Sequence, residues 1–105
     1  MRILLDEGVR KVIQQRLKTL SISNVEDMGW RGIKNGDLLD LMAGHFQVLI
    51  TADKNLPFQQ NLKRRQISAI ILPAKRRPTV IEFLPMIEQA LAKIAPGESI
   101  ELTQA

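Results

Sequence analysis

Three short apolar runs constrain this chain more than any other feature. Residues 3–5 read Ile-Leu-Leu, residues 48–50 read Val-Leu-Ile, and residues 69–72 read Ala-Ile-Ile-Leu. Each run is continuous rather than alternating, and each stops at a residue that breaks it: Asp6, Thr51 and Pro73. Unbroken runs of this length suit strands covered on both faces, which is the condition of a parallel sheet held between helices.

The segments between the runs change period. Val9, Val12, Ile13, Leu17 and Leu20 recur at three- and four-residue spacing with Arg10, Lys11, Gln14, Gln15 and Lys18 among them. That spacing predicts an amphipathic helix of about three turns. Residues 21–28 give a weaker strand through Ile22 and Val25. Asn35 suits a helix cap, Asp37 suits the first turn, and Leu38, Leu41 and Met42 give that helix an apolar face that ends at Gly44. Pro57 can open a further helix, with Phe58 and Leu62 directed to the core.

Thr79 and Glu82 have capping-box spacing ahead of Val80, Leu84, Ile87, Leu91 and Ile94, which mark one face of a long helix. Pro85 requires a bend or a restart there. Pro96-Gly97 ends the helix, and residues 99–103 read as a short edge strand. The alternating order predicts an α/β fold, a three-layer α/β/α sandwich with a mostly parallel sheet, over a single domain spanning 1–105.

At 105 residues there is room for one core. The absence of cysteine removes disulfides, thiolate metal sites and a cysteine nucleophile. The first apolar run is far too short for a signal-peptide core, and no stretch approaches the roughly 18 apolar residues of a membrane span. A cytoplasmic location and no membrane partner are expected. Fifteen basic and eleven acidic residues give a net charge of +4, a weak indication of a polyanionic partner. Neither a Gly-x-Gly-x-x-Gly fingerprint nor a Walker A pattern is present.

Asp6 and Asp53 follow the first and third strands. In a parallel sheet both stand on the carboxyl rim, and if the second strand lies outside the first they are neighbours about 5 Å apart at the backbone. Asp37 heads the helix that leads into the third strand, so it also belongs to that rim, and Glu7 can add a fourth acid. Two carboxylates about 4 Å apart repel by roughly 4 kcal/mol at an effective dielectric near 20. A hard cation such as Mg²⁺ or Mn²⁺ relieves that repulsion, and so does proton uptake. Aspartates after strands also serve as ordinary turn and helix caps.

Lys34, Lys54 and the run Lys75, Arg76, Arg77 fall on the same rim, where they can hold a phosphate backbone. Lys63, Arg64 and Arg65 lie at the far end of a helix. His45 is expected on the opposite side of the layer. Trp30 is expected to pack over the sheet edge rather than to stack on a base.

Four segments together resemble the small PIN-like proteins of prokaryotes: Met-Arg-Ile-Leu-Leu-Asp-Glu at 1–7, Met-Gly-Trp at 28–30, Lys-Asn-Gly-Asp-Leu-Leu at 34–39 and Leu-Ile-Thr-Ala-Asp-Lys-Asn-Leu at 49–56. The resemblance covers roughly residues 1–95. It implies a PIN-like sandwich and an acidic, Mg²⁺- or Mn²⁺-dependent endoribonuclease centre, often in the toxin of a toxin–antitoxin pair. Asp6, Asp37 and Asp53 match the family's acids, with Thr51 as the hydroxyl residue before the last. On that reading these aspartates and Glu7 bind metal, metal-bound water attacks an RNA phosphodiester, and Lys54 or the Lys75–Arg77 loop positions the backbone.

Asn55 stands where many such nucleases carry another aspartate, and the usual acid from a mid-fold helix has no clear counterpart. A single metal therefore fits better than two. The alternative is a non-catalytic PIN-like module that binds protein or nucleic acid. Candidate partners are RNA, an antitoxin protein and further copies of the chain.

Overall fold

The apolar runs become adjacent strands of one sheet. The structure is a computed structural model that describes residues 1–73 and 81–103. Its elements are β1 (Arg2–Leu5), α1 (Val12–Arg16), β2 (Ser21–Asn24), α2 (Asn35–Met42), β3 (Val48–Thr51), α3 (Leu56–Gln59), α4 (Leu62–Arg65), β4 (Ser68–Ile71), α5 (Leu84–Lys93) and β5 (Ser99–Glu101). The strand order is β2-β1-β3-β4-β5, and all four pairings are parallel. The order reverses between β1 and β3, because the chain moves outward to β2 and then returns past β1.

The strand runs are unbroken because both faces are covered. Ile3, Leu5, Val48, Ile50 and Ile70 meet Val12, Ile13, Ile87 and Leu91 of α1 and α5 on one side. Leu4, Leu49, Ala69 and Ile71 meet Leu38, Leu39, Met42, Leu56 and Leu62 of α2, α3 and α4 on the other. Successive strand residues point to opposite faces, so each run divides between the two cores. Three layers result. No helix of the described residues is long and apolar enough to cross a membrane.

Several local expectations change. α1 has five residues rather than three turns, because Gly8 turns the chain at φ 81° and Leu17 leaves helical geometry at φ −103°, ψ 56°. Val9 and Leu17 remain buried outside it, whereas Leu20 joins the exposed turn before β2. In α2 the buried stripe is Leu38, Leu39 and Met42, and Leu41 is 39% exposed. At 100° per residue Leu41 lies about 100° from the centre of that stripe.

Phe58 faces solvent at 88% exposure, not the core. α3 makes only one turn, and Leu56 occupies its inward position. The N-cap of α2 is Lys34, without a side-chain cap bond, so Asn35 is the first helical residue. Pro85 stands in the first turn of α5, where its missing N–H costs nothing, which is the expected restart. Thr79, Val80 and the run Lys75, Arg76, Arg77 lie outside the described residues. Trp30 is half-buried against the α2–α4 core and meets Phe46 edge-on, with ring centroids 6.0 Å apart.

Candidate functional site at the carboxyl rim

The backbone brings Asp6 to β3 before any side chain acts. β1 pairs with β3 through Leu5 and Ile50, and the Asp6 N–H continues the ladder by donating to the Ile50 carbonyl at 2.9 Å. Thr51 ends β3 and is 1% exposed. Its hydroxyl donates to Asp6 Oδ2 at 2.6 Å and accepts the Asp53 N–H at 3.1 Å. One buried hydroxyl therefore holds the first aspartate and the turn that carries the second.

Each oxygen of both aspartates accepts one hydrogen bond from the protein. Asp6 Oδ1 accepts the Glu7 N–H at 2.7 Å, beside the Thr51 bond to Oδ2. Asp53 Oδ1 accepts the Asn55 N–H at 2.9 Å, and Asp53 Oδ2 accepts from Asn35 Nδ2 at 2.5 Å. These donors are neutral. Among the described residues, no lysine or arginine forms an ion pair with either aspartate.

An open cleft of about 330 Å³ lies over this arrangement, lined by Asp6, Glu7, Ile33, Asn35, Thr51, Ala52 and Asp53. Its lining carries three acids and no base. Glu7 is turned partly outward, pairing with exposed Arg31 at 3.3 Å and accepting the Gly32 N–H at 3.3 Å. A separate, wider depression of about 520 Å³ lies along the β1–α1 loop, begins at Gly8 next to Glu7 in sequence, and includes Arg10 and Lys11.

The structure thus brings Asp6, Glu7 and Asp53 together and leaves Asp37 out of the cleft lining. Asp37 is exposed in the first turn of α2. Two helical residues span about 200°, so with Asn35 directed at Asp53, Asp37 points away. There it complements the helix dipole. Lys54 is exposed directly after Asp53. Among the described residues, no three acidic or histidine side chains form a group able to hold a metal ion.

Asn35 is the site residue that sequence reasoning missed as a site residue, since its placement before a helix suggested a cap. The available signal was its position two residues before Asp37 in the same turn. His45 lies on the α2–β3 connection, at the amino end of β3 and so at the opposite end of the strands from the cleft.

Fold and site define a parallel three-layer α/β/α protein with a paired-aspartate cleft where its strand order reverses. No family model, curated protein or solved structure shows a significant match to the chain.

Proposed function

We propose that this chain is a non-catalytic PIN-like binding module whose carboxyl-rim cleft receives a cationic side chain of a partner protein. The observation that carries this reading is the pairing of two aspartates by neutral donors alone, in a lining with three acids and no base. Such a cleft attracts an ammonium or guanidinium group and repels a phosphodiester. Each carboxylate oxygen keeps a second lone pair for that group, and a guanidinium fork suits two adjacent carboxylates. An antitoxin-type protein presenting lysine or arginine is a partner of this chemistry.

Calorimetric titration tests the reading with an arginine-containing peptide and a single-stranded RNA of similar length. The peptide should bind, and Asp6→Asn and Asp53→Asn should each weaken it severalfold. Preferential RNA binding unaffected by either substitution would rule the reading out.

A second reading is a metal-dependent endoribonuclease. It is favoured by the Thr51 hydroxyl, which ties Asp6 to the Asp53 turn, and by Arg10 and Lys11 in the neighbouring depression. Two carboxylates are enough to hold one hydrated Mg²⁺ or Mn²⁺, which generally keeps several waters. Asp6 and Asp53 would hold the ion, and it would supply an activated water. Thr51 would orient Asp6, and Lys54, Arg10 and Lys11 would bind phosphates. RNA cleavage that requires added Mn²⁺ and disappears in Asp6→Asn would establish this reading over the first.

A further inference from the structure

The two edges of the sheet are treated differently by the rest of the chain. β2 is closed. Ser21, Ser23 and Val25 direct their main-chain groups toward β1, as the Val25 N–H to Leu5 carbonyl bond shows, so Ile22 and Asn24 face outward. Both outward carbonyls are occupied: Gln14 Nε2 donates to Ile22 O at 2.7 Å, and the Met28 N–H donates to Asn24 O at 3.2 Å. Asn24 further fixes this edge by donating from Nδ2 to Gln14 and Asp27.

β5 is open. It is bound to β4 through alternate residues: Glu98 O accepts the Ala69 N–H, and the Leu102 N–H donates to Ile71 O. Ile100 lies between them, opposite Ile70. Ser99 and Glu101 therefore turn their N–H and C=O groups away from the sheet. Among the described residues, neither has a main-chain or side-chain hydrogen-bond partner for these groups. A strand edge in this condition is a template for another strand.

We propose that β5 is a homodimer edge, pairing antiparallel with β5 of a second copy about a twofold axis at Ile100. In that register Ser99 of each copy faces Glu101 of the other. Both pairs are hydrogen-bonded pairs, so four main-chain bonds use all four outward N–H groups and all four outward C=O groups. The side chains agree with the register, since a serine hydroxyl lies opposite a carboxylate. A register centred on Glu101 instead would set two glutamates directly opposite each other, which is destabilising. A second copy of β5 is thus self-complementary in the register centred on Ile100, and it is the occupant proposed. Ile100, half-buried against the α1–α5 core, meets its own copy at the central non-hydrogen-bonded pair and extends that apolar layer across the junction. The contact is isologous, so it closes as a dimer and does not propagate. Its small size belongs to the reversible class of interface.

The absence of cysteine allows a clean test. At a non-hydrogen-bonded pair the α-carbons stand about 4.5 Å apart, within the range a disulfide spans. Mild oxidation of Ile100→Cys should give a covalent dimer severalfold faster than oxidation of Thr19→Cys, whose exposed residue lies near the other edge. Sedimentation of the unmodified chain should show a dimer that dissociates on dilution. Glu101→Pro should abolish it while leaving far-ultraviolet circular dichroism unchanged, because the lost N–H faces away from β4. A chain monomeric at every concentration, with cross-linking no faster at position 100 than at position 19, would overturn the proposal. So would a dimer insensitive to Glu101→Pro. The cross-linking comparison stands even if the proline variant does not fold.

Discussion

The Thr51 hydroxyl donates to Asp6 Oδ2 at 2.6 Å across the junction of two strands 45 residues apart in sequence. The Thr51 hydroxyl oxygen also accepts the Asp53 N–H, so one buried group organises both walls of the cleft.

Replacing Thr51 with valine keeps the shape and removes both bonds. It should lower stability by about 1–3 kcal/mol, the cost of leaving part-buried polar groups unpaired. Thr51→Ser should retain the two hydrogen bonds and lose only a methyl contact. Urea denaturation of the two variants measures the difference, and equal losses would show that the hydroxyl contributes little.

Gly97 and Gly29 both have positive φ, 81° and 76°, but their surroundings differ. A Cβ on Gly97 would stand 2.6 Å from the Lys63 α-carbon, whereas a Cβ on Gly29 would meet nothing within 4 Å. Gly29→Ala should cost about 1–2 kcal/mol for the left-handed backbone alone. Gly97→Ala should add roughly 1–3 kcal/mol of overpacking, because α4 and the loop before β5 must separate. Thermal unfolding of the pair should therefore rank Gly97→Ala clearly lower.

The apolar stripe of α2 yields a third comparison. Met42 is fully buried and Leu41 is not. Met42→Ala should cost about 2–5 kcal/mol, and Leu41→Ala well under half of that. Phe58→Ser, at an exposed ring, should stay within about 0.5 kcal/mol of the parent protein. Chemical denaturation of the three variants would place Phe58 in the core if its substitution matched that of Met42.

Arg65 pairs with Asp40 on the surface, the carboxylate side chain being largely exposed. Asp40→Asn should change stability by less than about 1 kcal/mol, and added salt should shrink even that difference. A larger loss, undiminished by salt, would mean that the pair is shielded from solvent.

Much of the sandwich was legible because burial on two faces leaves a one-dimensional trace. The runs at 3–5, 48–50 and 69–72 became parts of β1, β3 and β4 or their immediate continuation, and the neighbouring positions of Asp6 and Asp53, expected only if β2 lay outside β1, follow from the observed strand order. The amphipathic segments were less legible at their ends. Val9 and Leu17 bear the helical pattern and are buried, but they lie in turns flanking α1, because apolar spacing reports which residues face inward and not which peptide groups are hydrogen-bonded. Phe58 misled because its apolar character carries no information about the length of the helix beneath it.

The sequence by itself indicated a covered parallel sheet with two aspartates on one rim, since both follow from local hydrophobicity and chain order, whereas the adjacency of their strands was decided by β2 lying outside β1. Only the tertiary structure decided which polar groups meet. Asn35 rather than Asp37 reaches Asp53, because rotation about a helix separates residues two apart to nearly opposite sides. Gln14 covers an outward carbonyl at one sheet edge while the outward groups of Ser99 and Glu101 at the other are left open, because main-chain direction is set by pairing register.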